Sequence, residues 1–262
     1  MTDLSVLNHL RAKAPSIFAE EPYGGMSDKY KFIPTSEVVE KLLGEGFIVS
    51  SFQENRVRSE DKHGFAKHTV RFRQPRLAPQ VGDVIPEVVL TNSHDGTSAF
   101  QLSAGLYRLV CSNGMIVGND MINVRQRHSG NVGDVIEGVF SVLNEMPEVI
   151  DTAQRWQGIT LSNEQRVAFA KAAIPLRWDA DEHNNFPVRA DQILRPRRQA
   201  DVAPTLWNTF NVMQEHIIKG GVRAISSNGR RRASKAVNSV NEDTRLNKAL
   251  WSLAAEMEKL AA

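Results

Sequence analysis

One cysteine in 262 residues rules out an intramolecular disulfide, and such a chain suits a reducing compartment. That residue, Cys111, lies in the apolar run 106–111. It reads as a buried structural thiol, since a nucleophilic cysteine needs a base and an electropositive setting beside it. Long hydrophobic runs are missing too. Nowhere do about 18 uninterrupted apolar residues occur, and the opening MTDLSVLNHLRAKAPSIF contains no apolar run of signal-peptide length. A cytoplasmic location and no membrane partner are expected. Phosphate-loop glycines are absent: GMIVGND lacks the Lys-Ser/Thr of a P-loop and no GxGxxG occurs, which argues against ATP-driven chemistry. Ser93 and Ser103 have no nucleophile-elbow context, and Glu87, Asp95 and Asp120 fall at no spacing diagnostic of a nuclease. Catalytic residues, a cofactor and a metal are therefore not assigned, and the chain does not read as an enzyme.

Neither sign of charge prevails, the formal net charge being +2, yet the charges are unevenly placed. Between residues 56 and 76 the bases Arg56, Arg58, Lys62, Lys67, Arg71, Arg73 and Arg76 face only Glu60 and Asp61. The balance turns acidic over 130–185. It becomes basic again through Arg195, Arg197, Arg198, Arg223 and the triplet Arg230-Arg231-Arg232. Such blocks suit a polyanion surface or an intersubunit pairing face.

The densest apolar stretch is 87–118, EVVLTNSHDGTSAFQLSAGLYRLVCSNGMIVG, which reads as the middle of a sheet. Val88 to Leu90 form a buried strand, the polar cluster 92–98 a turn, and Ala99 to Leu102 the start of the return strand. Asp95-Gly96 and Asn113-Gly114 are both hairpin signals, because each pair tolerates positive φ. Upstream, Thr35 or Ser36 is expected to cap a short helix carrying Val38, Val39, Leu42 and Leu43, and residues 47–52 form a strand. In KHTVRFR, Thr69, Arg71 and Arg73 share one face while Val70 and Phe72 share the other, so a half-buried strand with a cationic outer face is predicted. Residues 121–127 give one more strand. Period then switches to helical for Val135, Ile136, Val139, Phe140, Leu143 and Met146, for a helix capped in box fashion at Ser162, and for two C-terminal helices separated by the basic loop 226–232. The order predicts an α+β fold: a largely antiparallel sheet of about five strands with helices packed on one face, forming a core domain over 1–150. Residues 151–262 make a helical C-terminal region expected to pack on that core.

His94-Asp95 is the sharpest enzymatic feature, a pair of the kind that binds metal in phosphohydrolases. Two ligands fall short of the usual three or four, and Asp-Gly turn chemistry accounts for Asp95. His63, His68 and Asp61 fit neither a helical i, i+4 pair nor a finger pattern and read as solvated or phosphate-contacting. Nucleic acid is the better-supported partner. Lys67, Arg71 and Arg73 on a strand, Arg125, Arg127 and His128 near a strand end, and Arg230, Arg231 and Arg232 in a loop are the candidate phosphate contacts, with Phe65 or Tyr107 as stacking rings.

The segments KYKFIPTSEVVEKL, KHTVRFR, NSHDGTSAFQLSAGLYRLVCSNG and RHSG together resemble the hallmark segments of the YfjQ/YafZ-like family of plasmid- and prophage-encoded proteins, catalogued as domain of unknown function 932. The resemblance implies a mobile-element protein of the bacterial cytoplasm and hands over no catalytic residues. A weaker, architectural similarity is to the annealing domain of Rad52-like proteins, which work without ATP, form rings or filaments and hold single strands in a basic groove. The resulting expectation is a homo-oligomeric protein that binds and anneals single-stranded DNA in recombination. The alternatives are an anti-defence or regulatory protein that binds a host protein, and a metal-dependent nuclease.

Overall fold

The computed structural model describes residues 3–26, 30–76, 84–110, 113–118, 123–126, 131–225 and 231–261, with only the backbone at 113, 123–126 and 231. The apolar and alternating runs do form strands, and strands adjacent in sequence pair in space. After helices α1 (Asp3–Lys13) and α2 (Thr35–Gly44) come β1 (Ile48–Glu54), β2 (His68–Arg73), β3 (Val84–Asn92), β4 (Phe100–Arg108), β5 (Asn113–Ile116) and β6 (Asn123–Gln126). Every pairing is antiparallel, in the order β1-β2-β3-β4. Residues 100–103 of β4 pair with β6 and residues 105–108 with β5. The last two strands therefore lie end to end along one edge, and the sheet has five strand positions. Pro86 sits within β3 but beyond the last β2 partner, Phe72↔Val88, so its missing N–H costs that ladder nothing.

Register aligns Val70, Leu90 and Leu102 in one row and Phe72, Val88 and Ala104 in the next. All six are buried. Helix α2 contributes Val38, Val39 and Leu42, and helix α3 (Val132–Asn144) contributes Val135, Val139 and Val142. Phe47 joins the layers, edge-on to Phe72 at 6.4 Å and to Phe140 at 6.2 Å. Burying each such side chain stabilises the fold by about 1.5–3 kcal/mol. The start of α3 is closed by a reciprocal cap, Asn131 accepting from the Asp134 amide and Asp134 from the Asn131 amide.

The expected Asn113-Gly114 turn does not form there. Both residues belong to β5, and β4 ends at Arg108 with a turn at Leu109 and Val110. Cys111 lies outside the described residues. Thr35 is not a helix cap either: the N-cap of α2 is Pro34, without a side-chain bond. The Thr35 hydroxyl instead ties the helix to the sheet. It accepts from Asn92 Nδ2 at 3.0 Å and lies 2.9 Å from His68 Nε2 and 3.3 Å from His94 Nε2. His68 Nδ1 lies 2.9 Å from the Ala66 carbonyl, which can only accept, so Nδ1 carries the proton and neutral Nε2 accepts from Thr35. With its one proton used, the hydroxyl oxygen accepts from His94 Nε2–H.

A second set of elements follows: α4 (Met146–Gly158), α5 (Asn163–Ala173), α6 (Ala190–Ile193), α7 (Leu206–Lys219), the ribbon β7 (Arg223–Ile225) and β8 (Arg231–Ala233), and α8 (Val240–Ala261). The chain divides into two compact units, Met1–Ile116 with Asp120–Pro147, and Val117–Asn119 with Glu148–Ala262. Pro147 lies in the first turn of α4, where proline is tolerated. Helix α7 is buried on nearly all sides. Trp207 and Phe210 from it meet Trp156 of α4 and Trp251 of α8, with Trp156 4.6 Å from Trp251 and 5.6 Å from Phe210. The Trp156 indole N–H donates to Glu258 at 2.9 Å. Of the segment 226–232, expected as a loop, residues 231 and 232 belong to β8, and 226–230 lie outside the described residues.

Burial pushes the His68 imidazole down from 6.5 to about 4. The unfolded chain thus binds a proton near 6.5 that the folded chain refuses until about 4, so the contribution of this site is complete above 6.5 and lost as pH falls through that window. The loss amounts to roughly 3 kcal/mol. Urea midpoints measured from about pH 7 to about pH 4.5 should fall steeply for the native protein. The slope should be markedly shallower for His68→Gln, although that variant starts lower.

Candidate functional site

Arg71 and Arg73 are the first candidates, and the structure turns them inward. Glu87 of β3 is fully buried. Its Oε2 accepts from Arg71 Nη1 at 3.1 Å and its Oε1 from Arg73 Nε at 2.8 Å. Ser50 donates to the same Oε1 at 2.7 Å. That hydroxyl reaches the carboxylate because the β1–β2 register shifts between Val49 and Ser51, and a bulge re-aims the extra residue. Arg71 also donates to the Met115 carbonyl at 3.2 Å, and the Arg73 guanidinium lies 4.2 Å above the Tyr107 ring.

Two glycines make room for the long reach of Arg71 across the sheet. A Cβ on Gly114 would lie 2.9 Å from its guanidinium carbon, and one on Gly105 would lie 2.7 Å from Val89 Cγ2 and 3.0 Å from the Met115 carbonyl oxygen. Gly114 therefore serves a close approach and not a turn. The cationic outer face expected on β2 is a correction: all of β2 up to Phe72 is buried, and its arginines neutralise an internal carboxylate. A phosphate would have to displace Glu87 to reach them.

Of the other sheet candidates, Lys67 is half-buried just before β2, and its carbonyl accepts from the Asn55 amide. Arg125 lies opposite Gln101 in the β4–β6 pairing. Arg127 and His128 lie outside the described residues. Tyr107 is occupied by Arg73, and Phe65 packs edge-on against Tyr23. His94 is fully buried against Thr35, while Asp95 Oδ1 accepts from the Thr97 amide, an Asx turn around Gly96 at φ 74. Among the described residues no group of three or more His, Cys, Asp or Glu is placed to hold a metal ion.

The remaining candidates fall on the β7–β8 ribbon. Arg223 pairs with Ala233, Ala224 with Arg232 and Ile225 with Arg231. Alternation puts Arg223 on the face of Ile225 and Arg232 on the opposite face. Both arginines are exposed. The ribbon is held at its base by Gly221 N–H to the Ser234 carbonyl and Ser234 N–H to the Val222 carbonyl, each 2.8 Å. Farther along, Ile225 N–H donates to Pro187 at 2.9 Å and Gln192 Nε2 to the Arg223 carbonyl at 2.8 Å. The chain turns into it at Gly220, where φ is 71 and a Cβ would come within 2.5 Å of the Ser234 carbonyl oxygen. Arg230 lies outside the described residues.

Nearby basic groups contrast with these. Arg198 is bidentate to Glu215 at 2.7 Å on both oxygens, and Arg197 and Lys219 each approach the same carboxylate at 3.7 Å. Those contacts hold Glu215 below the ordinary carboxylate value against the opposing effect of its burial. Arg189 pairs with Asp191 at 2.9 Å. The sequence carried a signal for the ribbon that composition by quarters obscures. Residues 216–241 contain six Lys and Arg and no Asp or Glu, with Asn228-Gly229, a hairpin pair, between the two strands.

An antiparallel α+β unit with an internally neutralised face, followed by a helical unit bearing a basic ribbon, defines the class. The chain belongs to the domain of unknown function (DUF932) family, whose model matches residues 22–251. It is similar to UPF0380 protein YafZ of Escherichia coli K12, at 38% identity over 241 residues, covering 92% of this chain and 86% of the relative. UPF0380 protein YfjQ of the same strain is 37% identical over the same coverage. No solved structure matches the chain.

Removing the buried carboxylate should strand two cations in the sheet. Glu87→Ala is expected to lower unfolding free energy by about 3–5 kcal/mol in urea denaturation. Arg232→Ala, on the exposed ribbon, should change it by less than about 0.5 kcal/mol.

Proposed function

We propose that this chain binds single-stranded DNA through the β7–β8 ribbon, in place of the sheet face first expected. The observation that carries the reading is that the acid-free stretch 216–241 contains a two-stranded ribbon with Arg223 and Arg232 exposed on its two faces. Guanidinium groups suit phosphate because their planar donor forks match its oxygens, and each contact releases condensed counterions. A ribbon with arginines on both faces engages a backbone that bends around it, which a flexible single strand does at little elastic cost. Annealing of complementary strands without ATP, a homo-oligomeric assembly and a place in mobile-element recombination belong to the same proposal. Annealing and oligomerisation rest on the architectural similarity to Rad52-like annealing domains, and the mobile-element setting on the family resemblance stated above.

Fluorescence anisotropy with a labelled oligonucleotide tests it. If Arg223 and the triplet at 230–232 occupy about four phosphates, affinity should fall roughly fifty-fold between about 50 and about 200 mM salt. Arg223→Ala with Arg232→Ala should weaken low-salt binding and halve the slope of log affinity on log salt. The same variant should slow strand annealing. Binding that is absent at low salt, indifferent to salt, or unchanged in the double variant removes the reading.

A further inference from the structure

Beside the ribbon lies a cavity of about 930 Å³, within the size range of small-molecule sites. Ile174 and Val188 are its buried floor, Val167 of α5 and Ile225 of β7 are walls, and Phe186 is half-buried at its lip. The segment that presents Phe186 is closed by a tight turn. Asp181 Oδ1 accepts the amides of His183 at 2.9 Å and Asn185 at 2.8 Å, and Asn184 adopts the left-handed conformation at φ 60. Such a turn holds the following residue in place. The rim is cationic on balance, because Arg189 is spent on Asp191 while Lys171 adds an exposed ammonium.

Ile225 connects this cavity to the basic ribbon. It lines the cavity, it shares a ribbon face with Arg223, and its register partner is Arg231. A largely apolar cavity with an aromatic lip, a cationic rim and, as one wall, a strand that carries the exposed Arg223 matches a planar heterocycle joined to a phosphate. We propose that this cavity receives a nucleobase of the strand whose backbone the ribbon holds, with Phe186 as its stacking surface. The inference rests on the nucleic-acid reading above and adds a base-contacting site to it. Stacking reads the π-face that every base carries, so the site is tolerant of sequence.

Two labelled strands of equal length and charge separate the two ideas, one carrying bases and one built of abasic deoxyribose phosphate. The native protein should bind the base-bearing strand about tenfold more tightly, as expected for one stacked base. Phe186→Leu keeps apolar volume and removes the ring, so it should abolish that preference while leaving abasic affinity and salt slope unchanged. Phe186→Tyr keeps the ring and should retain the preference. Thermal melts of each variant establish that the fold is intact. Equal affinity for both strands overturns the base pocket and leaves the ribbon reading standing. A preference that survives Phe186→Leu overturns this cavity as its source. Binding of neither strand at low salt overturns both ideas together.

Discussion

A carboxylate with no exposure to water sits in the middle strand of the sheet, and much of the first unit is arranged to neutralise it. Ionised Glu87 without partners would cost several kcal/mol of desolvation. Three neighbours remove that cost: Arg71 and Arg73 from the adjacent strand, and Ser50 from the bulge one strand further out. Two cations against one anion leave a charge over, and its surroundings absorb it locally. Arg71 turns its other contact to the Met115 carbonyl, and Arg73 stacks on the electron-rich face of Tyr107. Gly105 and Gly114 follow from the same need, since a methyl group at either would collide with the path of Arg71 or its partners.

The same unit uses neutral polar groups for a different purpose. The hydroxyl of Thr35 satisfies Asn92 and two imidazoles at once, fixing the first turn of α2 against the ends of β2 and β3. Networks of this kind specify a unique arrangement because each member loses its partner if the helix shifts. Apolar rows under α2 and α3 supply most of the burial, and the polar knot at their margin selects the register. Lys62, 3.9 Å from Asp95 and 5.4 Å from the Tyr23 ring, joins the loop beyond the knot to the turn after β3.

Much of the fold was legible in the residues, and two of the failures share one cause. Strands β1 to β4, the capped helix at Ser162 and the Leu-lined C-terminal helix were all readable because periodicity and caps are local. Alternation in KHTVRFR correctly separated Val70 and Phe72 from Arg71 and Arg73. It could not reveal that Glu87, 16 residues onward from Arg71, comes to lie beside them. Whether an arginine faces water or a carboxylate is a tertiary fact. Asn113-Gly114 failed for a related reason: glycine serves turns and close approaches alike, and only the position of Arg71 decides between them. The β7–β8 ribbon was missed because its strands are short, basic and without apolar alternation, so its only local signals were an Asn-Gly pair and a run free of acids.

Internal pairing also determines where this nearly neutral chain can project a field. A charge matched by a partner a few ångströms away contributes little beyond one Debye length, about 8 Å at physiological ionic strength. Arg71 and Arg73 on Glu87, Arg198 on Glu215 and Arg189 on Asp191 are matched in this way. The ribbon differs in kind. Its two strands alternate, so Arg223 and Arg232 stand exposed on opposite faces. A net charge of +2 is therefore a poor guide to polyanion affinity. The fold uses carboxylates such as Glu87 and Glu215 to neutralise neighbouring arginines, and it leaves Arg223 and Arg232 exposed on the ribbon.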